Sequence, residues 1–168
     1  MRQLENIYAH LTGKLSPSYT KVLKVNAVLE FIVEILVVGI LLGVSYYFDW
    51  FNWINIVLYV IGALIILDNV WDFFFQSKFT VVNWAYEVDE QYVQLKRGRL
   101  FEHYEMIPMT KVQFVATNQG PILRKYGLYT LRIGTMGSEH TIPGLPEDEA
   151  LRLREEIAHY AKVKEVEV

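Results

Sequence analysis

Two apolar runs, Val25 to Phe48 and Trp53 to Phe75, stand back to back with only the residues 49–52 between them. Each is long enough to cross a bilayer, whose hydrocarbon core is roughly 30 Å thick and takes roughly 20 helical residues. A gap that short cannot hold a domain, so the runs predict a tight helical hairpin with both ends on one side of a membrane. The residues 16–77 are assigned to this hairpin, with spans at about 25–48 and 53–75. The residues 1–15 are read as an N-terminal element, because Leu4, Ile7, Tyr8 and Leu11 recur at helical spacing among polar residues. That pattern is an amphipathic helix rather than the apolar block of a cleavable signal. Ser16-Pro17 then reads as a helix start, with Ser as the N-cap and Pro at the first helical position.

Charge sets the orientation. Arg2, Lys14, Lys21 and Lys24 precede the first span against the single acid Glu5, and Lys78, Lys96, Arg97 and Arg99 follow the second. The turn Asp49 to Asn52 carries no Lys or Arg. Positive residues collect on the retained side, so both termini are expected in the cytoplasm. Tyr46, Tyr47, Phe48, Trp50, Phe51 and Trp53 mark one interfacial belt, and Trp71 with Phe73, Phe74 and Phe75 the other.

Beyond Ser77 the period changes from helix to strand, and the residues 78–168 are assigned to one cytoplasmic domain. Phe79 to Val88, Tyr92 to Lys96, Arg99 to Ile107 and Val112 to Thr117 read as strands. Leu128 to Thr135 and Glu139 to Ile142 follow, joined by a turn at Met136-Gly137-Ser138. Pro146 and the acids Glu147, Asp148 and Glu149 open a last helix at its acid-preferring end. Its apolar stripe is Ala150, Leu153, Ile157 and Tyr160 or Ala161. Six or seven antiparallel strands closed by one C-terminal helix is the order of a pleckstrin-homology-like barrel or sandwich. The fold class is thus membrane α plus β, a two-helix transmembrane hairpin followed by such a domain.

Particular residues sharpen this into a resemblance. Met106-Ile107-Pro108 is followed by Lys111-Val112-Gln113-Phe114-Val115, then by Gly120-Pro121-Ile122-Leu123-Arg124-Lys125-Tyr126-Gly127-Leu128. Ile142-Pro143-Gly144-Leu145 stands before the helix at Glu149-Ala150. In this order the motifs resemble the YdbS-like bacterial membrane proteins with a pleckstrin-homology-like domain, from about Leu15 to Ala161. Lys111-Val112-Gln113 departs mildly from the Arg-Ile-Gln-like step of that family. The resemblance implies a bacterial cytoplasmic membrane protein that binds or scaffolds. It also implies a hetero-complex with a larger relative carrying several copies of the domain, serving envelope maintenance. Self-association stays open as an alternative.

Two sets of residues are candidates for function. The first is four acids inside the spans, Glu30, Glu34, Asp68 and Asp72. Counted from residue 51, Glu34 and Asp68 stand 17 residues out and Glu30 and Asp72 stand 21. At about 1.5 Å per residue the pairs lie roughly 25 and 31 Å from the turn, and four-residue spacing puts each helix's pair on one face. One polar layer near the cytoplasmic edge is predicted. Its acids can sit at the headgroup level, pair with cations of this chain or a partner, or hold a proton or divalent ion. The headgroup level is the simplest of these, and partner docking is the functional hypothesis taken forward. The second set is Arg124 and Lys125 after the Gly120-Pro121 turn, with Lys96, Arg97 and Arg99, as contacts to anionic lipid or a partner.

Enzyme signals are absent, and the chain is expected not to be an enzyme. The chain has no cysteine, which excludes thiol catalysis and Cys-based metal sites. His10, His103, His140 and His159 lack metal-ligand spacing, and no phosphate loop or nucleophile elbow occurs. His103 and His140 read as ordinary strand residues. No cofactor is implied, and near-balanced charge in the domain gives no nucleic-acid footprint. The functions that remain are a membrane-tethered binding scaffold, a sensor of anionic headgroups, or a small ion-coupled transport subunit using the intramembrane acids.

Overall fold

The computed structural model describes residues 11–71, 73, 77–98 and 102–166. The chain divides into two compact units. One is Leu23–Lys78; the other combines Met1–Val22 with Phe79–Val168, so the first is an insertion into the second.

Among the described residues the inserted unit carries two long helices. Helix α1 spans Tyr19–Tyr47 and α2 spans Asn52–Trp71, and both are long and apolar enough to cross a membrane. The Trp50 N–H donates to the Ser45 carbonyl (3.0 Å) while Asp49 adopts φ 49°. That is the left-handed C-terminal stop of a helix, and Asp is one of the few side chains that tolerate it. The turn lies between Tyr47 and Asn52.

The second unit begins ahead of the hairpin. Strand β1 is only Gly13–Lys14, and it pairs antiparallel with β2, Ala85–Val88, which follows the hairpin. Strands β3 (Tyr92–Arg97) and β4 (His103–Pro108) complete a sheet in the order β1-β2-β3-β4. A 3-10 turn at Met109–Lys111 leads to β5 (Val112–Asn118), which pairs with β6 (Leu128–Thr135) and, through it, with β7 (Glu139–Pro146). Among the described residues these seven strands form two antiparallel sheets, of four and three strands, which do not close into one barrel. Three helices accompany them: α3 (Ser77–Val82), the short α4 (Pro121–Lys125) and the C-terminal α5 (Glu147–Val166).

Period-2 alternation builds the core. Val93, Leu95, Ile107, Leu131, Ile133 and Ile142 are all but sealed from solvent, and the equally buried α5 stripe Ala150, Leu153 and Ile157 belongs to a helix that packs on the three-stranded sheet and the 3-10 turn. Each such side chain stabilises the fold by roughly 1.5–3 kcal/mol relative to exposure. Tyr86 of β2, buried, donates its hydroxyl to Glu149 Oε1 of α5 (2.5 Å), joining the first sheet to the closing helix.

Residues 13–19 strap this unit across its N-terminal side. A Cβ at Gly13 would fall 2.5 Å from the Tyr86 ring, so only glycine allows β1 to lie there. The Ser16 N–H donates to the Gly144 carbonyl (3.1 Å), and the Tyr19 ring covers Gly144, whose φ is 67°. Ser16 also caps α1, its carbonyl accepting from the Tyr19 N–H (2.9 Å).

The amphipathic helix expected over Arg2 to Leu11 falls, but for Leu11, outside the described residues, and β1 follows at Gly13–Lys14 within the segment 1–15 assigned to it. Two expectations change. The first strand, read as Phe79 to Val88, is helix α3 through Val82 and strand only from Ala85. Thr80, Val81 and Val82 favour strands by propensity, but that preference is weak against context. The Asn83 backbone and side-chain N–H groups both donate to the Phe79 carbonyl (3.1 and 2.8 Å) and end the helical turn. Finally, Arg124 and Lys125 occupy the last turn of helix α4 rather than a loop tip. Pro121 at its first position favours the helical start.

Candidate functional site

The hairpin seam is where the spans carry polar chemistry. On α2 the inner positions Asn55, Leu58, Gly62, Ile65 and Asn69 repeat at alternating intervals of three and four, the spacing of a packed helix pair. At mid-seam a Cβ on Gly62 would sit 3.7 Å from Val38 Cγ1, so the helices approach closely there. Polar pairs stand on both sides of that contact. Ser45 is 1% exposed and donates its hydroxyl to Asn55 Oδ1 (2.7 Å). Toward the helix ends, Asn69 Nδ2 donates to Glu34 Oε2 (2.8 Å) and to the Ile65 carbonyl (2.9 Å). One turn further, Lys24 Nζ lies 4.7 Å from the centroid of the Phe73 ring.

The expected acid layer is therefore divided. Glu34 meets an amide, not Asp68. Asp68 precedes Asn69 by one residue, about 100° round the helix, and is exposed. Glu30 is exposed one turn before Glu34. Asp72 lies outside the described residues. Asn69 escaped the sequence reading, which sought charges; its position on the seam repeat was the signal. An apolar cleft of about 160 Å³ opens beside it, walled by Ala27, Phe31, Ile66 and Phe73.

The basic candidates differ from one another. Lys96 pairs with Glu102 (3.0 Å) and lies over the Tyr104 ring (5.1 Å). Hydrogen bonding to Tyr104, and then to Glu102, holds the Lys96 ammonium above its ordinary range. The Tyr104 hydroxyl, and then Lys96, hold the Glu102 carboxyl below its own. Arg97 pairs with Glu105 (2.7 Å). Both charges are thus answered inside the domain. Arg99 lies outside the described residues. Arg124 and Lys125 are exposed at the end of α4, with no ion pair among the described residues.

Glu105 also does something that reading along the chain missed. Its Oε2 meets His140 Nδ1 (2.7 Å), and His140 Nε2 meets Ser138 Oγ (2.8 Å), so β3, β4 and β7 are linked through side chains at one rim of the sandwich. Glu105 and His140 lie 35 residues apart, which hides the pairing from any local pattern. Arg132 and Glu139 form a separate bidentate pair between β6 and β7, which raises the arginine's affinity for its proton and lowers the carboxyl's.

Two apolar helices inserted into a two-sheet sandwich with a C-terminal helix define a membrane protein carrying a pleckstrin-homology-like domain. The comparison with protein families agrees: residues 21–161 match the bacterial PH domain model, and the chain belongs to that family. It is 36% identical over 156 residues to the UPF0699 transmembrane protein YdbS of Bacillus subtilis (strain 168). That alignment covers 93% of this chain and 96% of the relative. No solved structure matches the chain.

Proposed function

We propose that the protein is a membrane-anchored binding scaffold of the bacterial cytoplasmic membrane. In this reading it passes the membrane twice, keeps both termini in the cytoplasm, and works with a related multi-domain membrane partner in envelope maintenance. The observation that carries the reading is the division of the acid layer. All three acids are exposed, but Glu34 has Asn69 as a hydrogen-bond partner, whereas Glu30 and Asp68 have no partner among the described residues. A carboxylate exposed at that depth is costly unless a cation or water answers it. An Arg or Lys on a partner span supplies that answer, and docking then completes a layer this chain leaves open.

The test is recovery of crosslinked partners from native membranes. Replacing Glu30, Glu34, Asp68 and Asp72 together by Gln or Asn should lower partner recovery at least tenfold while the protein stays inserted. Unchanged recovery rejects the docking role.

A second reading rests on Arg124 and Lys125, exposed at one helix end, as contacts to anionic headgroups. Each basic residue near such a surface adds about 1 kcal/mol of attraction. Flotation with liposomes, with and without anionic lipid, separates the readings: binding by the domain that disappears on replacing both by Gln supports headgroup sensing.

A further inference from the structure

The rim network of the sandwich has a direction. Glu105 and His140 occupy the same alternation positions on β4 and β7 as the core residues Ile107 and Ile142, so they face inward where the core ends. Their side chains are about one fifth exposed, 20% and 19%. Arg97 Nη2 donates to Glu105 Oε1 (2.7 Å), so that oxygen accepts and the carboxyl is held facing His140. The proton between Glu105 Oε2 and His140 then belongs to Nδ1. In the neutral ring Nε2 carries the lone pair, and it is aimed at Ser138 Oγ (2.8 Å).

Thr135 shapes the turn that holds this serine. Its hydroxyl donates to the Ser138 carbonyl (3.0 Å) and accepts the Ser138 N–H (3.2 Å). The Thr135 proton is thereby used on the backbone, and the single Ser138 proton faces two acceptors, His140 Nε2 (2.8 Å) and Thr135 Oγ1 (2.9 Å). A nucleophile hydrogen-bonded to a base, the base fixed in turn by a third group, is the arrangement that activates a hydroxyl.

A groove of about 260 Å³ runs beside it. Met106 and Met136 give it apolar walls and are 44% and 85% exposed, and Lys111 adds a cation. Ligand pockets for drug-sized molecules span roughly 300–1,000 Å³, so this one suits a short chain.

We propose that Ser138 is an activated nucleophile, with His140 as its base and Glu105 as the positioning residue, and that it takes the acyl group of a short-chain ester seated in the groove. In the step, a bond forms from Ser138 Oγ to the carbonyl carbon and the ester C–O bond breaks. The serine proton passes to His140 Nε2 and then to the departing alkoxide, leaving acyl-serine and an alcohol. Water attacking the acyl-serine releases the carboxylic acid and restores the serine. The site goes beyond the scaffold reading and stands independently of it.

The experiment uses the full chain in detergent with two probes, p-nitrophenyl butyrate and a biotinylated fluorophosphonate, the latter losing fluoride as its phosphorus bonds to the serine. Expected is one adduct per chain, mapped to Ser138 by mass spectrometry and absent from Ser138→Ala. His140→Ala should slow labelling at least tenfold, and added imidazole should recover part of it, which a merely structural role would not allow. Glu105→Gln should slow labelling several-fold with the unfolding temperature little changed. If His140→Ala fails to fold, His140→Gln takes its place. Wild-type labelling no faster than that of Ser138→Ala, adducts on other residues, or rates indifferent to His140 would each overturn the proposal and leave the network a structural plug only.

Discussion

Gly144 and Tyr86 show how much single residues hold in this molecule. Gly144 adopts φ 67° and lies under the Tyr19 ring, so a Cβ there would fall 2.4 Å from the ring. Gly144→Ala combines backbone strain with a steric clash, each costing about 1–3 kcal/mol. The expected loss is about 2–4 kcal/mol, read from chemical unfolding in detergent. Gly137→Ala, with nothing within 4 Å and no positive φ, should stay within about 0.5 kcal/mol. Tyr86 gives a pH signature. Burial first, and then its bond to Glu149, push the phenol well above its ordinary value of 10.0. The raised value means the unfolded chain gives up this proton first as pH rises. The stabilisation is therefore complete below pH about 10 and declines above it toward the folded-state value. Tyr86→Phe should lose about 1–2 kcal/mol at neutral pH and flatten that alkaline decline, both measurable in unfolding temperature from pH 8 to 11.

At the scale of elements, the hairpin is a packed pair with polar clasps. Glu34→Leu and Asn69→Leu, singly and together, form a double-mutant cycle. Coupling of about 0.6 kcal/mol, and at most about 1.7, is expected from hydrogen bonds between membrane helices. Equilibrium unfolding in mixed micelles reads it, and zero coupling would show the bond to be idle. The same scale shows what was legible in the residues. The alternation of Leu128 to Thr135 gives β6 its observed bounds, and the stripe Ala150, Leu153 and Ile157 gives α5 its buried face. Both are long enough for a period to express itself. Two residues of β1 carry no period, and their partner Tyr86 lies some 70 residues downstream, so that strand was invisible. Helix α3 was misread because its β-branched residues favour the wrong state. For the candidate sites, the depth of the acids was readable by counting, while rotation about the helix was not: one step, from Asp68 to Asn69, decides which side chain meets Glu34. The link from Glu105 to Ser138 depends on two sheets meeting, which no local pattern encodes.

For the whole molecule, the insertion makes a test of what the sandwich needs. A fragment beginning at Phe79 lacks β1 and the Tyr19 cover, leaving Tyr86 and Gly144 bare. A second protein, in which residues 11–22 are joined to Phe79 by a flexible Gly/Ser linker, keeps both. The joined form should unfold cooperatively at a temperature at least 10 °C above that of the truncated one, by calorimetry. For a domain of about 100 residues that interval corresponds to about 2 kcal/mol. Equal stability would show the strap to be ornamental.

The order of β1, hairpin and β2 also has a consequence for biogenesis. A growing chain exposes Gly13 and Lys14 first, then two apolar stretches, and only afterwards the strand that β1 must join. The sheet cannot be finished at a ribosome still delivering the spans, and the long wait between its partners makes this pairing a slow, late event. Until β1 pairs, the Tyr86 ring lacks the backbone that lies over it, so the finishing of this sheet waits on the whole segment between its two strands.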